Sequence, residues 1–157
     1  MSEAVDLPPT PDEIEAARST VDSWLAAEVE GNPAVAEAAP DPESDRRWMV
    51  RLLGEEKEHF TVWFELRQRS LRAETYLMPA PMEDHAAVYE YLLRTAEVLR
   101  GVTISIGAED ALFAHCEFRI EFLDERQLDR MLGSLHEVTE RVFVPAMRLG
   151  FGDRFSL

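Results

Sequence analysis

Between residues 47 and 77, apolar and polar side chains alternate in three runs. Trp48, Val50 and Leu52 alternate with Arg47 and Arg51. Phe60, Val62, Phe64 and Leu66 alternate with Thr61, Trp63, Glu65 and Arg67, and Leu71, Ala73, Thr75 and Leu77 with Arg72, Glu74 and Tyr76. A period of two puts each apolar set on one face of a strand. A polar turn at residues 54–58 and the short connection Gln68-Arg69 make the three runs an antiparallel meander with one buried face. Val102, Ile104 and Ile106 predict a fourth strand, residues 107–110 a turn, and Ala114, Cys116, Phe118, Ile120 and Phe122 a fifth.

Helical spacing appears three times. Thr10, Pro11 and Glu13 form a capping signature ahead of Ile14, Ala17, Val21, Trp24 and Leu25, which predicts an amphipathic helix over about residues 11–29. Asp84 is placed to cap a second helix with the stripe Val88, Tyr91, Leu92, Thr95, Ala96 and Leu99, closed by Gly101. Asp124 opens a third, carrying Leu128, Met131, Leu132, Leu135, Val138, Val142 and Ala146; Pro145 is expected to kink or end it, and Gly150 to stop it. Between the first helix and the first strand, alanines, acids and Pro33, Pro40 and Pro42 give no period. The expected organisation is an acidic N-terminal helix over residues 1–30, a flexible linker over 31–46, and an α+β domain over 47–157. That domain's antiparallel sheet has five strands, and the element order is α-βββ-α-ββ-α.

Charge sharpens this division. The 157 residues carry a net charge of −15, and residues 1–45 hold 12 acids against the single base Arg18. Phosphate binding needs a basic stripe, so nucleic acid and anionic membrane are both disfavoured as partners. No apolar run approaches the roughly 18 residues of a membrane helix. The acidic start lacks the apolar stretch of a secretory signal. One cysteine, Cys116, allows no internal disulfide, which fits a reducing, cytoplasmic setting.

The chemistry-bearing residues form no catalytic pattern. His59, His85, His115 and His136 lie far apart in sequence, and His115 and Cys116, being neighbours on a strand, point to opposite faces. Cys116 belongs to an apolar face, where a thiol is an inert packing residue. Gly150 and Gly152 lack the strand and following helix of a phosphate loop. The expectation is therefore a protein with no catalytic residue, metal or cofactor. Two features point to binding instead. By alternation Trp63 and Tyr76 face outward on neighbouring strands, rimmed by Glu65, Arg67, Arg72 and Glu74, the composition of an interface centre. Ile14, Val21, Trp24 and Leu25 are the residues with which the N-terminal helix would dock.

Several runs carry a family likeness: residues 84–89 (Asp-His-Ala-Ala-Val-Tyr) leading to Leu92-Leu93-Arg94, Leu99-Arg100-Gly101-Val102, residues 128–133 (Leu-Asp-Arg-Met-Leu-Gly), and residues 145–151 (Pro-Ala-Met-Arg-Leu-Gly-Phe). With the element order, over about residues 46–152, they resemble the YbjN-domain family in its actinobacterial form, which shares the type III secretion chaperone fold. The resemblance implies a compact, often dimeric α+β domain that holds another polypeptide, and it brings no catalytic residues. Function is thus expected to be chaperone-like or adaptor binding of a client protein, with the chain a homodimer. The alternative is small-molecule binding in the concavity between sheet and helices.

Overall fold

The computed structural model describes residues 7–156. The first element among the described residues is helix α1, Pro11–Gly31, whose cap forms as the sequence predicts: Thr10 Oγ1 accepts from the Glu13 amide, and the Glu13 carboxylate accepts from the Thr10 amide. Six strands and two more helices follow: β1 Val35–Pro40, β2 Arg47–Leu53, β3 His59–Leu66, β4 Ser70–Met78, α2 His85–Ala96, β5 Thr103–Ile106, β6 Leu112–Arg119 and α3 Glu125–Phe151. The strands form one antiparallel sheet in the order β1-β2-β3-β4-β6-β5.

The sheet therefore has six strands, not five, and the additional one lies in the stretch expected to be a flexible linker. Residues 35–40 pair with β2 from Val35 opposite Leu52 to Pro40 opposite Trp48, with a bulge between Val35 and Glu37. Alanines and prolines hide this strand in the sequence. At the sheet's edge they cost little, because one side of an edge strand has no ladder to lose.

Three further differences have local causes. The last strand ends at Arg119, and residues 120–122 turn into a 3₁₀ segment, burying Ile120 but leaving Phe122 exposed. Asp84 precedes α2 with φ +48° and makes no side-chain cap. Pro145 neither ends α3 nor is followed by a stop at Gly150; the helix runs to Phe151 and closes at Gly152, whose φ is +53°. Proline removes the amide that would bond the carbonyl four residues back. Here the Tyr91 hydroxyl, from α2, reaches that Arg141 carbonyl at 3.4 Å.

The inward rows of the sheet and the apolar stripes of all three helices share one core. Val21, Trp24 and Leu25 of α1 are buried in it, and Ile14 is half-buried against it. The Trp24 ring meets Phe64 edge-on at 5.3 Å, and its Nε1 donates to Asp129 of α3 at 2.8 Å. Trp48 of β2 donates back to Asp22 of α1, also at 2.8 Å. Each buried indole thus has the partner that burial demands.

Candidate protein-binding face

Side-chain alternation sends the other rows of the sheet to its outer face. The register aligns Arg47 of β2, Glu65 of β3, Arg72 of β4 and Glu117 of β6 in one row across the strands. The next row holds Met49, Trp63, Glu74 and His115. Trp63 is 37% exposed and Tyr76 44%, whereas Trp24 and Trp48 are each 2% exposed. The outer aromatics are thus excluded from the core by register and not covered by a helix.

These rows line a concavity of about 570 Å³, which brings together all six residues expected at an interface: Trp63, Glu65, Arg67, Arg72, Glu74 and Tyr76. The rings and cations are ordered against one another. The Arg47 guanidinium lies 4.5 Å from the centre of the Trp63 ring, within cation–π range. Tyr76 meets Phe113 edge-on at 5.7 Å. Arg72 pairs with Glu74 at 3.1 Å, while Glu65 lies 3.9 Å from Nε of both Arg47 and Arg67. Burial raises the Tyr76 phenol above its ordinary value, helped by the charge of Glu109.

Lys57, which the sequence pattern assigns to a polar turn, also lines the concavity. Regular pairing of β3 with β4 ends at Val62 and Thr75, and β4 bulges between Tyr76 and Met78. The Lys57 ammonium donates to the carbonyls of Tyr76 at 2.8 Å and Leu77 at 3.1 Å. It also lies 5.2 Å from the Tyr76 ring centre and 5.1 Å from that of Phe143. Burial lowers its pKa to about 8. The turn that carries it is held from α3: the Glu140 carboxylate accepts from the amides of Glu55, Glu56 and Lys57 at 2.7, 2.9 and 3.3 Å. Partial burial pushes that carboxyl up, but the three amides and His136 outweigh it and hold it below the ordinary carboxylate range.

The remaining reactive groups do not converge. Cys116 faces the core, and burial raises its pKa to about 12, only partly offset by Arg72, so the thiolate is suppressed. His115 contacts Ser105 at 3.2 Å on the outer face; burial, with Arg72, lowers its pKa despite Glu74 and Glu117. His136 bonds the Leu53 carbonyl at 3.1 Å, and His59 lies 3.7 Å from Glu58. Among the described residues no group of three or more His, Cys, Asp or Glu side chains could hold a metal ion, and no helix is long and apolar enough to cross a membrane. Between sheet and helices, the place expected for the alternative small-molecule site, most of the space is filled by core side chains, and a cleft of about 460 Å³ opens between α1, Leu52 of β2 and α3, lined by Glu28, Asn32, Asp129 and His136 among others.

No protein-family model matches the chain. Over 103 residues it is 28% identical to an uncharacterised protein of Mycobacterium tuberculosis, a match covering 66% of this chain and 56% of that protein. An uncharacterised protein of Mycobacterium leprae is 26% identical over 110 residues, 70% of this chain and 60% of the relative. The chain thus spans a little over half the length of these relatives. Among solved structures, a chain of the HopA1–SchA chaperone–effector complex matches with a TM-score of 0.58 at 13% identity, covering 85% of this chain and 98% of its own length. A chain of the heterodimeric ExoU–SpcU complex from the Pseudomonas aeruginosa type III secretion system matches at 0.57 and 20% identity, covering 80% and 96%. The structure of the Yersinia pestis type III secretion chaperone SycH with a fragment of YscM2 matches at 0.52 and 15%, covering 80% and 98%. At these identities the likeness is one of fold: an antiparallel sheet with three helices, matching the type III secretion chaperone folds.

Proposed function

We propose that this chain is a non-enzymatic, chaperone-like or adaptor domain of the YbjN type that holds a client polypeptide on the outer face of its sheet. One observation carries the reading: Trp63 and Tyr76 stand open in a concavity with a charged rim, on a face where packing requires neither. An apolar-aromatic centre inside a polar rim is the anatomy of a protein interface. The solved structures of this fold named above include a chaperone–effector complex and a heterodimeric complex, which supports a polypeptide as the ligand. Burial suppresses the Cys116 thiolate, and the His115–Ser105 contact of 3.2 Å lies on the outer face of the sheet, where burial and Arg72 lower the His115 pKa.

The test is photo-crosslinking in the native cell from a benzoyl-phenylalanine placed at position 63, with the exposed position Glu30 on α1 as reference. A discrete protein adduct from position 63, absent from position 30 and lost when Tyr76→Ser is added, is the expected result. Adducts from position 30 alone, or the same adducts from both positions, would remove the outer face as the client surface.

A further inference from the structure

The concavity has the opposite electrostatic character to the molecule that carries it. Arg47, Lys57, Arg67 and Arg72 line it against the two carboxylates Glu65 and Glu74. The whole chain has 31 acidic and 16 basic residues, so everything outside this patch holds 29 acids and 12 bases. A local cationic excess on an otherwise strongly acidic protein selects among partners by charge.

The two acids do not consume these cations. Glu65 is shared between Arg47 and Arg67 at 3.9 Å each, beyond hydrogen-bonding distance. Arg47 also approaches Asp41 at 3.5 Å, and its buried Nε has no hydrogen-bond partner. The close pair is Arg72 with Glu74. Lys57 is half-buried and fixed on two main-chain carbonyls, 5.2 Å from the Tyr76 ring centre, so its ammonium already has partners within the chain. Arg47 and Arg67 therefore keep guanidinium donors for an incoming acceptor, beside the Trp63 ring on which Arg47 stacks. A guanidinium offers a planar fork that fits a carboxylate with two parallel hydrogen bonds.

We propose that the outer concavity binds an acidic polypeptide segment bearing apolar side chains, its carboxylates engaging Arg47 and Arg67 and an apolar group resting on Trp63 and Tyr76. This rests on the reading of the outer face as the client surface and adds the chemistry of the client. At physiological ionic strength the screening length is about 8 Å, so the field that such a segment meets is set by the lining cations together with the acids beside them, Asp41, Glu65, Glu74 and Glu109, and not by acids farther along the chain.

The experiment measures binding to the full chain by fluorescence anisotropy at about 0.15 M salt. Three labelled ten-residue peptides are compared: glutamate alternating with leucine, lysine alternating with leucine, and glutamate alternating with serine. The expected order has the glutamate–leucine peptide about tenfold or more tighter than either control. Its binding weakens as salt rises, and it falls about tenfold in the double variant Arg47→Glu with Arg67→Glu. Far-UV circular dichroism checks that variant's fold, and the peptide comparison on the unaltered protein stands without it. Equal or tighter binding of the lysine peptide, no binding of the glutamate–leucine peptide, or binding unchanged in a folded double variant would overturn the proposal. So would self-association that the Arg47 and Arg67 changes abolish and the peptide cannot displace, since the occupant would then be a second copy. A lysine peptide that binds and is lost with Trp63→Ser and Tyr76→Ser would overturn the acidic chemistry while leaving the outer face as the client surface. Crosslinks that avoid position 63 would instead remove that face.

Discussion

Replacing Trp24 by alanine distinguishes a helix that belongs to the core from an arm that can leave it. The Trp24 side chain is 2% exposed, touches Phe64 edge-on and donates to Asp129. Truncating a buried large aromatic to alanine costs about 3–5 kcal/mol through lost transfer energy and the cavity left behind. The edge-to-face pair is included in that figure at about 1 kcal/mol. Asp129 also loses its donor beside Glu28, whose pKa is raised by burial and, despite the Asn32 hydrogen bond, by the Asp129 carboxylate itself. A total near 4 kcal/mol is a large share of the roughly 5–15 kcal/mol that holds a domain together. With a urea slope of about 2 kcal/mol per molar, the unfolding midpoint drops by about 2 M. The assay is equilibrium urea unfolding followed by far-UV circular dichroism and by fluorescence, whose transitions coincide if α1 and the sheet are one cooperative unit. A loss below about 1 kcal/mol, or a separate early transition for α1 in the unaltered protein, would refute the assignment of α1 to the common core.

Two further predictions concern the turn beside the concavity, held by Lys57 and Glu140. The folded-state pKa of Lys57, about 8, lies below its ordinary 10.5, so the folded chain binds fewer protons than the unfolded chain between those values. Stability should therefore rise with pH from about 8 to 10 in the unaltered protein and not in Lys57→Met, read as urea midpoints; parallel profiles would show that the ammonium is not desolvated. The Glu140 carboxyl is depressed, so its contribution is complete above the ordinary carboxylate range and disappears as pH falls through its folded value. Glu140→Gln should cost about 1–2 kcal/mol at pH 7 and progressively less as pH falls through the acid range, and a difference that does not change with pH would assign the effect to shape, not charge.

The residues that define β2 and β3 announce themselves because large apolar groups occupy every second position, and β4 follows the same period with Leu71, Ala73, Thr75 and Leu77. The same period places Trp63, Tyr76 and their charged neighbours on one face, so all six residues of the expected interface share the concavity. Lys57 joins them by a route that leaves no periodic trace. It reaches the Tyr76 and Leu77 carbonyls because β4 bulges there and Glu140, far along the chain, holds the turn. β1 is silent for a related reason: Ala36, Ala38 and Ala39 carry little side chain to pattern, and the strand is specified by its partner β2. Pro145 misleads in the other direction, since the Tyr91 hydroxyl approaching Arg141 is a tertiary contact between α2 and α3.

The area left open on the aromatics limits how the outer face can hold a client. Tryptophan and tyrosine bury about 150–250 Å² each when fully covered. With Trp63 37% and Tyr76 44% exposed, roughly 120–200 Å² remains to be gained. At about 25 cal/mol per Å² that is about 3–5 kcal/mol, close to the lower end of the about 4–15 kcal/mol that association costs. The two rings therefore select a partner but cannot retain it unaided. A stable complex covers about 800 Å² per partner, which obliges the client to extend along the outer rows past Arg47 and Arg67. There its own charges decide whether each added contact helps. A neutral or basic segment would cover those guanidiniums with only their long contacts to Asp41 and Glu65, whereas an acidic one supplies closer acceptors. Selection by charge is thus strongest for long clients and weakest for short ones, so shortening the glutamate–leucine peptide should narrow its advantage over the lysine control as the overall affinity falls.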